Sequence, residues 1–395
     1  MFAFKPLPRQ TALIFALLLT NSMCVSSLIP MMGLFIVEGL GQEPWQIGLY
    51  TGLVLPLTML ANRWSGERLD HGMAVRKLLL ISVSAYLLLT AILTQTADFY
   101  VLLGAVAPLM SLANMGSGTI FTFGRLHAEQ NNLDIAKINS WLRMAVSLAW
   151  MIGPAAAFSL SAIFGFSTAF TASFVLGVCY LLLWNFVVPA EFKAPPRPEN
   201  NTRKEPMNWG LLIASTICLG FVITNSLFMA AMPLYFIQDT GLPGSTPGLA
   251  FSVKCLIEVF VIFGSVRLAQ RIGTRPVLFL AALLAALSMI LFSYATSVWQ
   301  VLAIAALEGT YYGLFAGLAI TFVQSFAPDR PGRATAVYMN SLFFGGFIGS
   351  VSMGFIASAT SFQMVLYVAA AASLVSMIVL LATARVQPTS QAKQV

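Results

Sequence analysis

Two acidic residues, Glu258 and Glu308, stand where acids are rare, each well inside a long apolar run. Counted from the start of its run, Glu258 is about eleven residues in and Glu308 about ten. At 1.5 Å per residue in a helix that places each roughly 16 Å deep, near the middle of a hydrocarbon core of about 30 Å. An ionised carboxylate is costly at that depth, so an acid held there is a functional candidate by default. Glu258 has the setting for reversible protonation or for contact with a solute. The competing reading is a local salt bridge to Lys254, one helical turn earlier on the same run. Glu308 is followed by Tyr311 and Tyr312. A carboxylate accepts hydrogen bonds from hydroxyls while an aromatic ring packs on a flat apolar face, which together suit a hydroxylated ring. The competing reading is a polar contact between packed helices.

The remaining polar residues inside apolar runs are few. Asn21, Asn114 and Asn225 carry amides that donate and accept at once, which matches neutral ligands without the cost of desolvating an ion. Trp150 could stack on a ligand ring or face lipid. Arg143 lies near the start of its run and can snorkel to the interface, pair with Asp70 or Glu129, or gate through a loop acid. Cys24, Cys179, Cys218 and Cys255 all lie in apolar runs without CxxC spacing and read as small apolar residues. His71 and His127 fall in polar loops, which argues against a proton relay within the membrane. No phosphate-cradling Gly-Lys-Ser/Thr loop is present, and no nucleophile–base constellation marks an enzyme.

The elements that must hold these residues follow from where charge is placed. The chain is 58% hydrophobic and 9% charged, against about 25% charged in ordinary soluble domains. Its charges gather in short clusters between apolar runs, which gives twelve spans: 11–37, 46–64, 76–96, 100–124, 138–163, 167–188, 209–237, 247–266, 276–295, 299–326, 334–358 and 363–384. With the N-terminus inside, every Lys and Arg in a loop or at a span's end falls on the inner side, Arg63, Arg76 and Lys77 included, and the outer loops hold Glu38, Glu43, Asp98 and Asp239. Only Arg143 and Lys254 remain, both within spans. The positive-inside rule therefore accounts for the net charge of +7 without nucleic acid, and places both termini inside. Lys5 and Arg9 before an apolar run that ends in Cys24 could pass for a lipoprotein signal. Met23 at the cleavage position and continuation of the run to Val37 make it the first membrane helix instead.

The longest polar stretch, 189–208, is rich in proline and mixed charge and reads as a solvated linker between bundles 1–188 and 209–395. The halves echo one another. Asn21-Ser22 precedes Pro30 as Asn225-Ser226 precedes Pro233, and Gly-rich outer loops follow both. The Gly66–Gly72 loop leads to Arg76-Lys77 as Gly264 leads to Arg271–Arg275. The pairs Gly313/Gly317 and Gly345/Gly349 mark close helix contacts. Two joined repeats of six helices are a layout used by secondary transporters.

This layout, with the Gly66-x-x-x-Asp70-x-Gly72 loop, resembles the major facilitator superfamily, although His71 stands where Arg is usual and the second copy lacks the Asp. Within it, Arg143 to Phe158 with Gly153-Pro154, Leu112 to Arg125, and Gly241-Leu242-Pro243 resemble the bacterial sugar efflux transporter family. The resemblance implies an all-α integral membrane fold of two six-helix bundles, and proton-coupled export of sugars or glycosides from the inner membrane by a monomer. No cofactor is implied beyond the coupling proton. It implies that Asn21, Asn114, Asn225, Glu308, Tyr311 and Trp150 line a substrate cavity, that Glu258 and Glu308 carry protons, and that Asp70, Arg125 and Arg143 gate. A Gly-Pro in span 5 accompanies antiport in such exporters. The alternative is a proton-coupled multidrug exporter of the same superfamily, with cationic substrates.

Overall fold

The computed structural model describes residues 9–95, 98–133, 135–190, 192, 208–327 and 331–384. The Asp70 side chain and most of the linker lie outside the described residues. Among the described residues all regular structure is helical. Long apolar runs have no water to hydrogen-bond their backbone, so they satisfy it within the helix. The first bundle has α1 (Arg9–Leu34), α2 (Trp45–Asp70), α3 (Val75–Gln95), α4 (Ala107–Gln130), α5 (Ile135–Phe164) and α6 (Phe166–Val187). The second has α7 (Trp209–Leu234), α8 (Thr246–Ile272), α9 (Thr274–Phe292), α10 (Val298–Gln324), α11 (Pro331–Ala359) and α12 (Phe362–Ala382).

Eleven of these are long and apolar enough to cross a membrane by length and composition. The exception is α2, whose last turns carry Arg63, Glu67, Arg68 and Asp70. There the helix outruns its apolar span, and Arg63 Nε meets Glu67 Oε1 at 2.8 Å, one turn on and exposed. The α5 helix continues through Gly153-Pro154 to Phe164. Of the four thiols, Cys24, Cys218 and Cys255 are buried as expected, whereas Cys179 is exposed on α6.

The chain forms two compact units, residues 1–35 with 53–201, and residues 36–52 with 202–395. Residues 36–52 thus belong to the second unit, in contrast to a boundary placed only at the linker. The reason is a close approach at two glycines: a Cβ on Gly48 would lie 2.8 Å from the Val351 carbonyl oxygen, and one on Gly354 2.6 Å from that of Pro44.

The repeat is visible along the two halves of the sequence. α1 and α7 each end in a π turn, Phe35–Gly39 and Tyr235–Asp239. Each is followed by a glycine in the left-handed region, Gly41 and Gly241, both at φ +65°, a conformation that glycine adopts without a Cβ clash. At the opposite end of the helices, Arg76 of α3 donates to the Asn185 carbonyl in the last turn of α6 and to that of Val188, just past it. Arg275 of α9 donates to the Leu380 carbonyl of α12 at 3.2 Å. Both guanidiniums satisfy carbonyls left open at a helix C-terminus, where a cation is also favoured.

Candidate functional site

The second unit brings α8 and α10 into backbone contact along a stripe of three glycines. A Cβ on Gly309 would strike the Lys254 carbonyl, and one on Gly313 would lie 2.8 Å from Val261 Cβ and 3.0 Å from the Glu258 carbonyl oxygen. One on Gly317 would meet Ser265 and, at 3.1 Å, the Ile262 carbonyl oxygen. Small residues permit this approach where no hydrophobic force drives helices together in lipid. Gly345 and Gly349 of α11 do the same against α7, 2.8 Å from Val222 Cβ and from Ser226 Cβ. Both glycine pairs thus mark close contacts. Gly309→Ala is expected to force α8 and α10 apart and cost about 1–3 kcal/mol. Gly264→Ala, with open space around its Cβ, should leave stability unchanged in the same detergent unfolding assay.

The α8–α10 contact sets Lys254 against Glu308, which is 0% exposed. Lys254 Nζ lies 2.7 Å from Glu308 Oε1. It also donates to Asn225 Oδ1 of α7 at 2.7 Å and approaches Met229 Sδ at 3.6 Å. The Tyr312 ring stands 4.7 Å from the ammonium, within cation–π range. The ammonium thus has a carboxylate, an amide oxygen and an aromatic face around it, as a buried cation requires. The expected local partner was Glu258, but the carboxylate held at 2.7 Å belongs to α10. The crossing at Gly309 rather than helical spacing decides the pairing. Glu258 is half-buried one turn further along α8.

Two polar atoms of this cluster are buried without a hydrogen-bond partner among the described residues: Glu308 Oε2 and the Tyr311 hydroxyl. Tyr311 is fully buried, and its ring meets Tyr312 edge-on at 6.1 Å. Phe228, Met229, Met232, Phe251 and Ala305 close around Glu308 and Lys254 and leave no space for a water molecule among them.

The other expected site residues lie in the first unit. Asn21 of α1 is buried and its Oδ1 accepts from Ser117 Oγ at 2.8 Å. Asn114 of α4 is half-buried, its Nδ2 donates to Thr58 Oγ1 of α2 at 3.5 Å, and its Oδ1 has no partner. Trp150 is half-buried on α5. Arg125 pairs with Glu129 at 2.8 Å within α4, on the exposed surface, so the proposed pairing of Arg143 with Glu129 meets a competitor already in place. Arg143 itself is exposed. Asp70, the other proposed partner, has its side chain outside the described residues.

Residues 213–395 match the family model of the Major Facilitator Superfamily. Over 341 residues the chain is 25% identical to "Sugar efflux transporter A" of Dickeya chrysanthemi, covering 85% of this chain and 86% of that protein. It is 24% identical over 364 residues to "Sugar efflux transporter A" of Escherichia coli (strain K12), covering 91% of each. Among solved structures, that of nucleoside transporter NupG superposes with a TM-score of 0.76 at 15% identity, over 95% of this chain and 99% of that one. The fold is the major facilitator fold.

Proposed function

We propose that this chain, which belongs to the sugar efflux transporter family of the major facilitator superfamily and is a transporter rather than an enzyme, exports sugars or sugar-like compounds in exchange for protons. The protein sits in the bacterial inner membrane with both termini in the cytoplasm, the side on which its Lys and Arg gather, and works by alternating access. The observation that carries the substrate class is the cluster on Lys254. Its charges balance, and it leaves one buried acceptor, Glu308 Oε2, and one buried hydroxyl, Tyr311, close to each other but without a well-formed hydrogen bond. Buried polar groups are costly to leave unpaired. A neutral ligand rich in hydroxyls would satisfy both, donating to the carboxylate and accepting from the phenol, with no ion to desolvate.

Glu258 and Glu308 are the proton-carrying groups in this reading. They share a stretch of α8 and α10 with one ammonium, so a proton taken up by either carboxylate changes which charges Lys254 must balance. Asn21, Asn114 and Trp150 in the first bundle are proposed to contact substrate, the amides through its hydroxyls and the indole by stacking on its ring. Asp70, Arg125 and Arg143 are proposed to act at the inner gate.

Counterflow in proteoliposomes tests the substrate class. Vesicles preloaded with an unlabelled neutral sugar should accumulate the labelled sugar, and vesicles preloaded with a cationic dye should not accumulate the labelled dye. Exchange of dyes with none of sugars would favour the multidrug reading instead.

A further inference from the structure

Most acids buried in a membrane attract cations, and an aromatic ring beside one strengthens the attraction. Here both features are already occupied from within. Glu308 Oε1 is taken by Lys254 Nζ at 2.7 Å, and Lys254 also stands over the Tyr312 ring at 4.7 Å. Asn225 Oδ1 at 2.7 Å holds the ammonium from a third direction. Lys254 is 4% exposed and Glu308 0%, so neither partner is drawn away by solvent in this state.

We propose that Lys254 is the specificity-determining residue of the site, a built-in cation that fills the carboxylate and the aromatic face and thereby excludes cationic compounds while leaving neutral polyols admissible. This rests on the sugar-export reading and adds the reason that a membrane carboxylate does not make the protein a cation exporter. An incoming organic cation would have to displace an ammonium already fixed at three points, and would meet like charge in a medium that screens it poorly. A neutral sugar faces no such repulsion, and once the helices part its hydroxyls can pair with Glu308 Oε2 and the Tyr311 hydroxyl, neither of which makes a well-formed hydrogen bond to the protein here. Removing the ammonium exposes one uncompensated carboxylate and an open ring face, which is the chemistry of a cation site.

The test is a gain of function. Binding of tetraphenylphosphonium to purified wild type, Lys254→Met, Lys254→Arg and Lys254→Met/Glu308→Gln is measured by equilibrium dialysis in detergent, alongside sugar counterflow. Lys254→Met is expected to bind the cation at least about ten-fold more tightly than wild type, a difference well beyond assay scatter. Lys254→Arg should stay at the wild-type level because it keeps the charge, and the double variant should lose the gain because it removes the carboxylate. If Lys254→Met does not fold, Lys254→Gln, which keeps hydrogen bonding but not charge, carries the same expectation. Equal cation binding by wild type and the folded neutral variants overturns the proposal, as does a gain that survives Glu308→Gln. Wild type that exchanges no sugar refutes the sugar reading instead, and the binding measurements read out independently of that result.

Discussion

Glu308→Gln and Lys254→Met are each expected to destabilise the second bundle by about 3–5 kcal/mol, because each leaves its partner as a lone buried charge. The double variant Lys254→Met/Glu308→Gln should recover much of that loss. Two neutral side chains of similar size replace the pair, and exchanging a buried ion pair for neutral groups is often close to neutral in stability. The distances support strong coupling: 2.7 Å between the charges, with exposures of 4% and 0%. Unfolding in mixed detergent of all four proteins gives the coupling as a double-mutant cycle. Losses that simply add would show that the two charges are held by other partners and do not form a unit. The comparison also separates this pair from Arg125–Glu129, whose side chains are 53% and 38% exposed. Breaking that surface pair should cost no more than about 1 kcal/mol.

Glu258→Gln is expected to abolish efflux driven by a pH gradient while leaving sugar counterflow substantially intact. Counterflow exchanges one sugar for another and needs no net proton movement, whereas coupled efflux requires a group that gains and loses a proton in each cycle. Glutamine keeps the shape and hydrogen bonding of Glu258 and removes only that capacity. Glu258 is half-buried on α8, one turn from the ammonium of Lys254, so its charge bears directly on the cluster. Efflux at the wild-type rate under a pH gradient would remove Glu258 from the coupling mechanism. Loss of both activities together with stability would assign it to packing.

The fold was readable from the chain because each membrane helix must be a long apolar run whose backbone closes on itself. Trp45, Gln46 and Asn62 dilute the stretch of α2 that precedes Arg63, which is why α2 alone is not apolar enough to stand with the other eleven. The glycine pairs at 313/317 and 345/349 were legible as contacts, since only small side chains permit such approach. The pairing inside the site was not. Spacing alone joins Lys254 to Glu258, one turn away on the same helix, and no periodicity reveals which face of α10 meets α8. The signal that could have found it is Gly309, directly after Glu308 and one turn before Gly313, which extends the contact stripe to the level of Lys254. Asn225 was legible as a buried amide, but its oxygen serves the ammonium of Lys254, which spacing joins only to Glu258. The π turns at Phe35–Gly39 and Tyr235–Asp239 left no mark beyond the glycines that follow them.

Antiport of a neutral sugar against protons is tested most directly by recording lumenal pH in proteoliposomes of the wild-type protein while sugar is added outside. Sugar entering down its gradient should drive protons out, so the lumen should turn alkaline, and a protonophore should abolish the change. Sugar entry with no change in lumenal pH, or with acidification, would contradict the account.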